Sequence, residues 1–303
     1  MNYLITGFAG QLGYDVAYQL ILEGVSPENI TVTDMKLPQS LPGALAYSFV
    51  SMDLTYKENV DELVKATKPD VIIHCAAWTA VDDAEDEENQ EKVVAINVGA
   101  TKNLAEAAKN CGAKMVYIST DYVFNDQTLT PIDPDSKDFD PINFYGKTKL
   151  EGELAVTSTL DKYFIVRISW VFSRHGNNFV DTMLKLAETH DSLNVVSDQI
   201  GQPTYTPDLA KLIIRMADTD KYGFYNASNE GPFISWCDYA NSIFEIAGVK
   251  GIEVNPVTTE QYGISKAARP HNSRLDKSKL VANGFELLPT WEDALERYIN
   301  GTD

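Results

Sequence analysis

The chain has 303 residues, 44% of them apolar and 10% aromatic, which suffices for one large domain, or a large one with a smaller lobe, around a substantial core. Its formal charge of -19 excludes general binding to nucleic acid or to an anionic membrane, because such partners need a basic face. The 3 cysteines, Cys75, Cys111 and Cys237, are far apart and form no CxxC pair, which argues against a disulfide framework or a zinc knuckle and fits a reducing compartment.

The opening MNYLITGFAG reads as strand and turn from its first residues and leaves no room for a secretory leader. No apolar run approaches the ~20 residues of a membrane span. A cytoplasmic location is expected. Strand-like runs follow at 3–6, 30–33, 46–52, 71–76 and 114–119, several continuously apolar as strands buried on both faces are. Helical patterns at 11–23, 59–67 and 89–110 alternate with them, and a helix at 145–159 and a strand at 163–172 continue the rhythm. This alternation predicts an α/β fold with a doubly wound, Rossmann-like parallel sheet and right-handed crossovers. Beyond residue 173 the pattern loosens into helices near 177–189, 207–217, 235–248 and 290–299. The expected division is a dinucleotide-binding domain over 1–173 and a smaller, mostly helical substrate lobe over 174–303. The acidic run DDAEDEE at 82–88 is expected to be a solvated helix start favoured by the helix dipole.

GFAGQLG at 7–13 follows a strand and enters a helix, the context that a glycine-rich dinucleotide loop requires. Gly7, Gly10 and Gly13 permit the tight turn, the approach of backbone N–H groups to a pyrophosphate and close helix packing. Asp34, at the end of the second strand, is placed to accept hydrogen bonds from the ribose hydroxyls, and Asp53 to hold the adenine end. Asp34 favours NADH on charge, whereas Lys36 is placed to accommodate NADPH, so both remain open.

KMVYIST runs into Asp121-Tyr122, which sets Thr120 at a strand's carboxyl end, where open parallel sheets place their ligand crevice. Tyr145 and Lys149, four residues apart at the start of a helix, share one face. Thr120, Tyr145 and Lys149 therefore form a candidate triad for carbonyl reduction. Tyr145 protonates the developing alkoxide, Thr120 hydrogen-bonds the same oxygen, and Lys149 tunes Tyr145 and binds the nicotinamide ribose. On this reading the ammonium and the nicotinamide cation favour the ionised phenol by about 1 to 3 pH units and bring its pKa toward working pH. His74 reads as core, and His175, His190 and His271 lack metal-ligand spacing.

GFAGQLG, HCAAWTAVDDAE (74–85), ISTDYVF (118–124), YGKTKLEGE (145–153), RISWVF (167–172), GNNFV (176–180), DQIGQPT (198–204) and RPHNSRLD (269–276) together resemble the extended short-chain dehydrogenase/reductases. Within them the resemblance is to the dTDP-4-dehydrorhamnose reductase branch, over nearly the whole chain. The resemblance implies NAD(P)H-dependent reduction of a nucleotide sugar's 4-ketone to give dTDP-L-rhamnose. It assigns cofactor contacts to Gly10, Gln11, Leu12, Asp34, Asp53, Leu54, Ala77, Trp78 and Thr79, and substrate contacts to Val81, Thr120, Tyr122, Tyr145 and Trp170. Ala9, Trp78 and Ser173 depart from the residues common at those positions. Some members of the branch dimerise around a magnesium ion through acidic residues, a site with no assigned counterpart here, and a monomer or homodimer is expected. The same fold and triad also serve sugar-nucleotide epimerases, and a related branch acts as a regulatory subunit of methionine adenosyltransferase. The window 261–280 carries Lys266, Arg269, Arg274, Lys277 and Lys279 against Asp276, a balance of +4 in an acidic chain. Arg269 or Arg274 is therefore expected to bind the substrate diphosphate.

Overall fold

In the computed structural model, which describes residues 1–37 and 47–302, 7 parallel strands form the central sheet. In chain order they are β1 (Tyr3–Thr6), β2 (Ile30–Asp34), β3 (Ser48–Ser51), β4 (Val71–His74), β5 (Lys114–Thr120), β6 (Tyr163–Ile168) and a last strand, Gly223–Ala227. Across the sheet they run β3-β2-β1-β4-β5-β6 and then Gly223–Ala227, so the winding reverses between β1 and β4. Position 46 of the third expected strand lies outside the described residues.

Helices cover both faces. On one, α1 (Gln11–Leu22) and α7 (Thr206–Ala217) bury Leu12, Val16, Leu20, Leu209, Ile213 and Met216 against Ile5, Val32 and Val166. On the other, α2 (Lys57–Thr67), α4 (Thr101–Cys111) and α5 (Phe144–Thr159) bury Val60, Leu63, Leu104, Ala108 and Val156 against Leu4, Ile72 and Ile165. Two-sided burial accounts for strands that are mostly apolar, YLIT and VIIH among them, with Thr6 and His74 at their carboxyl ends hydrogen-bonded to each other. A third core, with Phe172, Val180, Tyr205, Tyr239, Ile243 and Trp291, joins α6 (Phe179–Ala187), α8 (Trp236–Ile246) and the C-terminal helix Trp291–Asn300. The parallel pair Ser192–Val196 and Glu253–Val257 packs beside it.

Three expected elements differ in form. The helix read over 89–110 is α3 (Glu87–Val94), a π-helical stretch Ala95–Ala100 and α4. Buried Asn97 lies in the widened turn, its Oδ1 accepting from Trp78 N at 2.8 Å and its Nδ2 donating to Thr148 Oγ1 at 3.0 Å, and such turns are often retained at working sites. The strand read over 163–172 ends at Ile168 and resumes as Val171–Phe172, because Trp170 adopts φ +49, outside any strand. The part beyond 173 is not purely a separate helical lobe either, since α7 packs on α1 and Gly223–Ala227 pairs with β6.

Candidate active site

A cleft of about 1030 Å³ opens at the carboxyl ends of the strands, where the winding reverses. One end is lined by Gly7, Gly10, Gln11, Leu12 and Gly13. Gly7 takes φ +72, and a Cβ there would lie 2.5 Å from Ala76 N. A Cβ on Gly13 would collide with the Gly7 carbonyl oxygen. Gly10 caps α1 without any side-chain hydrogen bond, so the first turn presents bare backbone to the cleft. This cradle fits a dinucleotide diphosphate, which needs N–H donors and no competing side chain. Gly13→Ala should lower stability by about 1 to 3 kcal/mol through overpacking and weaken NADPH binding in a fluorescence titration. An unchanged dissociation constant would count against the cradle.

Asp34 closes β2 and ties the loop to the sheet, Oδ2 accepting from Ala9 N at 2.9 Å and Oδ1 from Met35 N at 2.7 Å. Asp53 folds over its own turn, accepting from Thr55 N at 2.9 Å and Thr55 Oγ1 at 2.7 Å. Both carboxylates and Leu54 also line the cleft, as do Ala77 and Thr79 on the facing wall. Trp78 between them does not line it; its indole Nε1 donates to Ala80 O at 3.0 Å.

The reacting end is built by β5 and α5. Asn143 caps α5, accepting from Gly146 N at 2.7 Å. A Cβ on Gly146 would run into the Tyr122 carbonyl oxygen, so glycine there allows α5 to abut the turn Asp121–Val123 that follows β5. That contact brings Tyr145 to Thr120, whose hydroxyl hydrogen-bonds the phenol and donates to Asp121 Oδ1 at 3.0 Å. The Tyr122 ring stands edge-on to Tyr145 with centroids 5.9 Å apart. Lys149, one turn along α5, donates from Nζ to Ile118 O at 2.7 Å and lies 4.1 Å from the Tyr117 ring centroid.

In the chain without cofactor, burial dominates the protonation of the triad. Burial raises the Tyr145 phenol above its usual range, the Asp121 charge raises it further, and the Thr120 hydrogen bond only partly opposes them. Burial pulls Lys149 down to about 7 against the opposing influence of the Glu153 carboxylate. Desolvation thus outweighs the ammonium's expected effect on Tyr145. The phenol is protonated at neutral pH, the state a general acid needs. Asp121 is itself pushed up to about 6 by burial.

Toward the third core the cleft is lined by Val81, Tyr122, Trp170 and Arg269. Trp170 stacks on Trp236 at 3.7 Å between centroids, and Phe179 packs on Trp236 at 4.6 Å. Arg269 Nη2 donates to Asp82 Oδ2 at 2.7 Å. Arg274 does not line the cleft, donating instead to Asn272 Oδ1 at 3.0 Å beside the Phe233 ring. The acidic run is not simply a solvated helix start: Asp82 holds Arg269, Asp86 holds Lys266 at 2.9 Å, and Glu85 Oε1 accepts from Phe144 N at 2.7 Å. Only Glu87 and Glu88 occupy the first turn of α3. Asn97 and Trp236 escaped the sequence reading, since a lone Asn in a helical pattern and a lone aromatic in the lobe carry no motif, and Phe179 falls within GNNFV without an assigned role. Among the described residues, no group of three or more His, Cys, Asp or Glu gathers to hold a metal ion, and no helix is long and apolar enough to cross a membrane.

The parallel sheet, the glycine cradle and the Thr-Tyr-Lys set define a dinucleotide-dependent oxidoreductase of the extended short-chain type. The chain is 39% identical over 305 residues to dTDP-4-dehydrorhamnose reductase of Aggregatibacter actinomycetemcomitans, covering 97% of this chain and 96% of that protein. The model of the RmlD substrate binding domain matches residues 1–303, and the chain belongs to that family. The crystal structure of dTDP-4-dehydrorhamnose reductase from Bacillus anthracis in complex with NADP is similar, with a TM-score of 0.85 at 39% identity, over 100% of this chain and 99% of that one. A dTDP-4-dehydrorhamnose reductase ortholog from Clostridium acetobutylicum gives a TM-score of 0.87 at 39% identity, over 99% of each chain.

Proposed function

We propose that this chain reduces the 4-keto group of dTDP-4-dehydro-L-rhamnose with NADPH or NADH, giving dTDP-L-rhamnose for surface polysaccharide. The observation that carries this reading is the meeting of Thr120 and Tyr145 in one cleft with an uncapped glycine cradle. The bound nicotinamide supplies the hydride. Tyr145 gives its phenolic proton to the ketone oxygen as charge develops there, and Thr120, its hydroxyl turned away from Asp121 Oδ1, donates a hydrogen bond to the same oxygen. Lys149, held by Ile118 O, would bind the ribose hydroxyls on the nicotinamide side of the cofactor. Lys36, exposed two residues beyond Asp34, is a ready partner for a 2'-phosphate, and the Bacillus anthracis relative carries NADP, which together favour NADPH. In this reading 1–173 hold the cofactor and 174–303 the sugar nucleotide, except for the α7 and Gly223–Ala227 segments that serve the sheet.

Arg269 is the diphosphate ligand in this proposal, released from Asp82 or shared with it. Arg269→Ala should raise KM for the sugar nucleotide about 10- to 100-fold, the worth of a charge-assisted hydrogen bond of about 1.5 to 3 kcal/mol, with KM for NADPH nearly unchanged. Equal effects on both would refute the assignment. The function itself is tested by following the loss of NADPH absorbance with dTDP-4-dehydro-L-rhamnose. Stoichiometric oxidation supports reduction. Turnover without net oxidation points to an epimerase, and cofactor binding without turnover to a regulatory subunit.

A further inference from the structure

Behind the reacting end lies a buried ion pair that the reduction does not itself consume. Glu153, one turn beyond Lys149 on α5, is 1% exposed, and Arg167 on β6 is fully buried. Arg167 Nε and Nη2 donate to the two carboxylate oxygens at 2.8 Å each, and Ser119 Oγ donates to Oε1 at 2.5 Å. On its far side the guanidinium donates from Nη1 to Pro134 O at 2.9 Å and lies 4.8 Å from the Phe124 and Phe224 ring centroids. Stability alone is a weak reason to keep such a pair, because apolar side chains of similar volume often replace it without loss.

Its placement points to the site. Tyr145, Lys149 and Glu153 recur every four residues on one face of α5. Lys149 Nζ ends on the carbonyl of Ile118, and Glu153 on the hydroxyl of the next residue of β5, Ser119. The histidine, the thiol and the two phenols that face Lys149 carry no charge at neutral pH. His74 in β4 is drawn down to about 3 by burial, and Cys75 after it is pushed up to about 12. Tyr117 in β5 and Tyr145 in α5 are both raised by burial. Asp121, pushed up to about 6 and so mostly ionised at neutral pH, acts on Tyr145. Glu153 is therefore the carboxylate that offsets the desolvation of the Lys149 ammonium.

We propose that Glu153 is a positioning residue of the reaction: clamped by Arg167 and Ser119, its carboxylate keeps Lys149 in the ammonium form beside Tyr145. The inference rests on the role given to Lys149 above. A lysine whose charged form is favoured by Glu153 loses its proton at lower pH once that carboxylate is gone, so activity that needs the ammonium should fade at lower pH. Two variants test this: Glu153→Asp keeps a partner for Arg167 but draws the charge back by one methylene, and Glu153→Gln with Arg167→Met removes both charges together. Lys149 is followed by NMR titration of the free chain with labelled lysine, assigned through Lys149→Arg, and the alkaline limb of kcat/KM is followed in parallel. The double variant should move both downward, loss of the Arg167 cation offsetting part of the shift, and Glu153→Asp should move both in the same direction. If the double variant does not fold, the shift in Glu153→Asp decides. A folded variant in which Lys149 titrates as in the parent protein, or one whose rate falls evenly at all pH values, overturns the proposal. The titration needs neither cofactor nor sugar nucleotide, so its failure is separable from failure of the proposed function.

Discussion

Tyr145→Phe should lower kcat for ketosugar reduction by about 100- to 10,000-fold, the usual range for loss of a positioned general acid, while KM for NADPH changes little. Phenylalanine keeps the ring that meets Tyr122 edge-on and removes only the hydroxyl, so packing is spared. The residual rate is then what Thr120 contributes by hydrogen-bonding the alkoxide unaided. Because burial and the Asp121 charge both raise the phenol, the parent enzyme already holds the transferable proton at neutral pH. Its rate should not fall on the acid side for want of an ionised tyrosine. Single-turnover measurement of NADPH oxidation checks both points. A variant that retained more than a tenth of the parental kcat would remove Tyr145 from the proton transfer.

Arg167→Met alone should cost about 3 to 5 kcal/mol of stability, the typical penalty for stranding one partner of a buried ion pair. The argument turns on Glu153: with the guanidinium gone, Ser119 is left as its one donor among the contacts described, and water does not reach a side chain that is 1% exposed. Methionine fills much of the volume between the Phe124 and Phe224 rings, so cavity formation is a minor part of the cost. Adding Glu153→Gln should therefore recover most of the loss, because no buried charge remains uncompensated. Urea unfolding of the single and double variants, with unchanged m-values, is the check. A single-variant loss below about 1 kcal/mol would mean that the pair is hydrated or otherwise compensated.

The sheet was readable because β1 and β4 are buried on both faces and largely apolar, and because glycines at 7, 10 and 13 follow a strand and enter a helix. Tyr145 and Lys149 were readable for a similar reason: helical spacing puts them on one face whatever surrounds the helix. What escaped depends on partners remote in sequence. The π-helical turn exists where Asn97 meets Trp78 and Thr148, and the strand break exists where Trp170 stacks on Trp236. The acidic run looked solvated because its partner Arg269 lies 187 residues from Asp82. The charge state of the cofactor-free triad was not legible for a different cause. Spacing tells which groups are adjacent, but desolvation, which dominates Tyr145 and Lys149, is a property of the packed interior.

The pairing of Gly223–Ala227 with β6 bears on how such proteins can be divided. A fragment ending near residue 173 would leave the backbone N–H and C=O groups along one side of β6 without a neighbour, a sticky margin that invites self-association. The complementary fragment would carry α7 with its apolar side bare to water, since α1 would be on the other piece. Neither half is then a transferable module. New sugar preferences in this scaffold should come from replacing loops around Trp170 and Arg269, not from exchanging whole lobes between relatives.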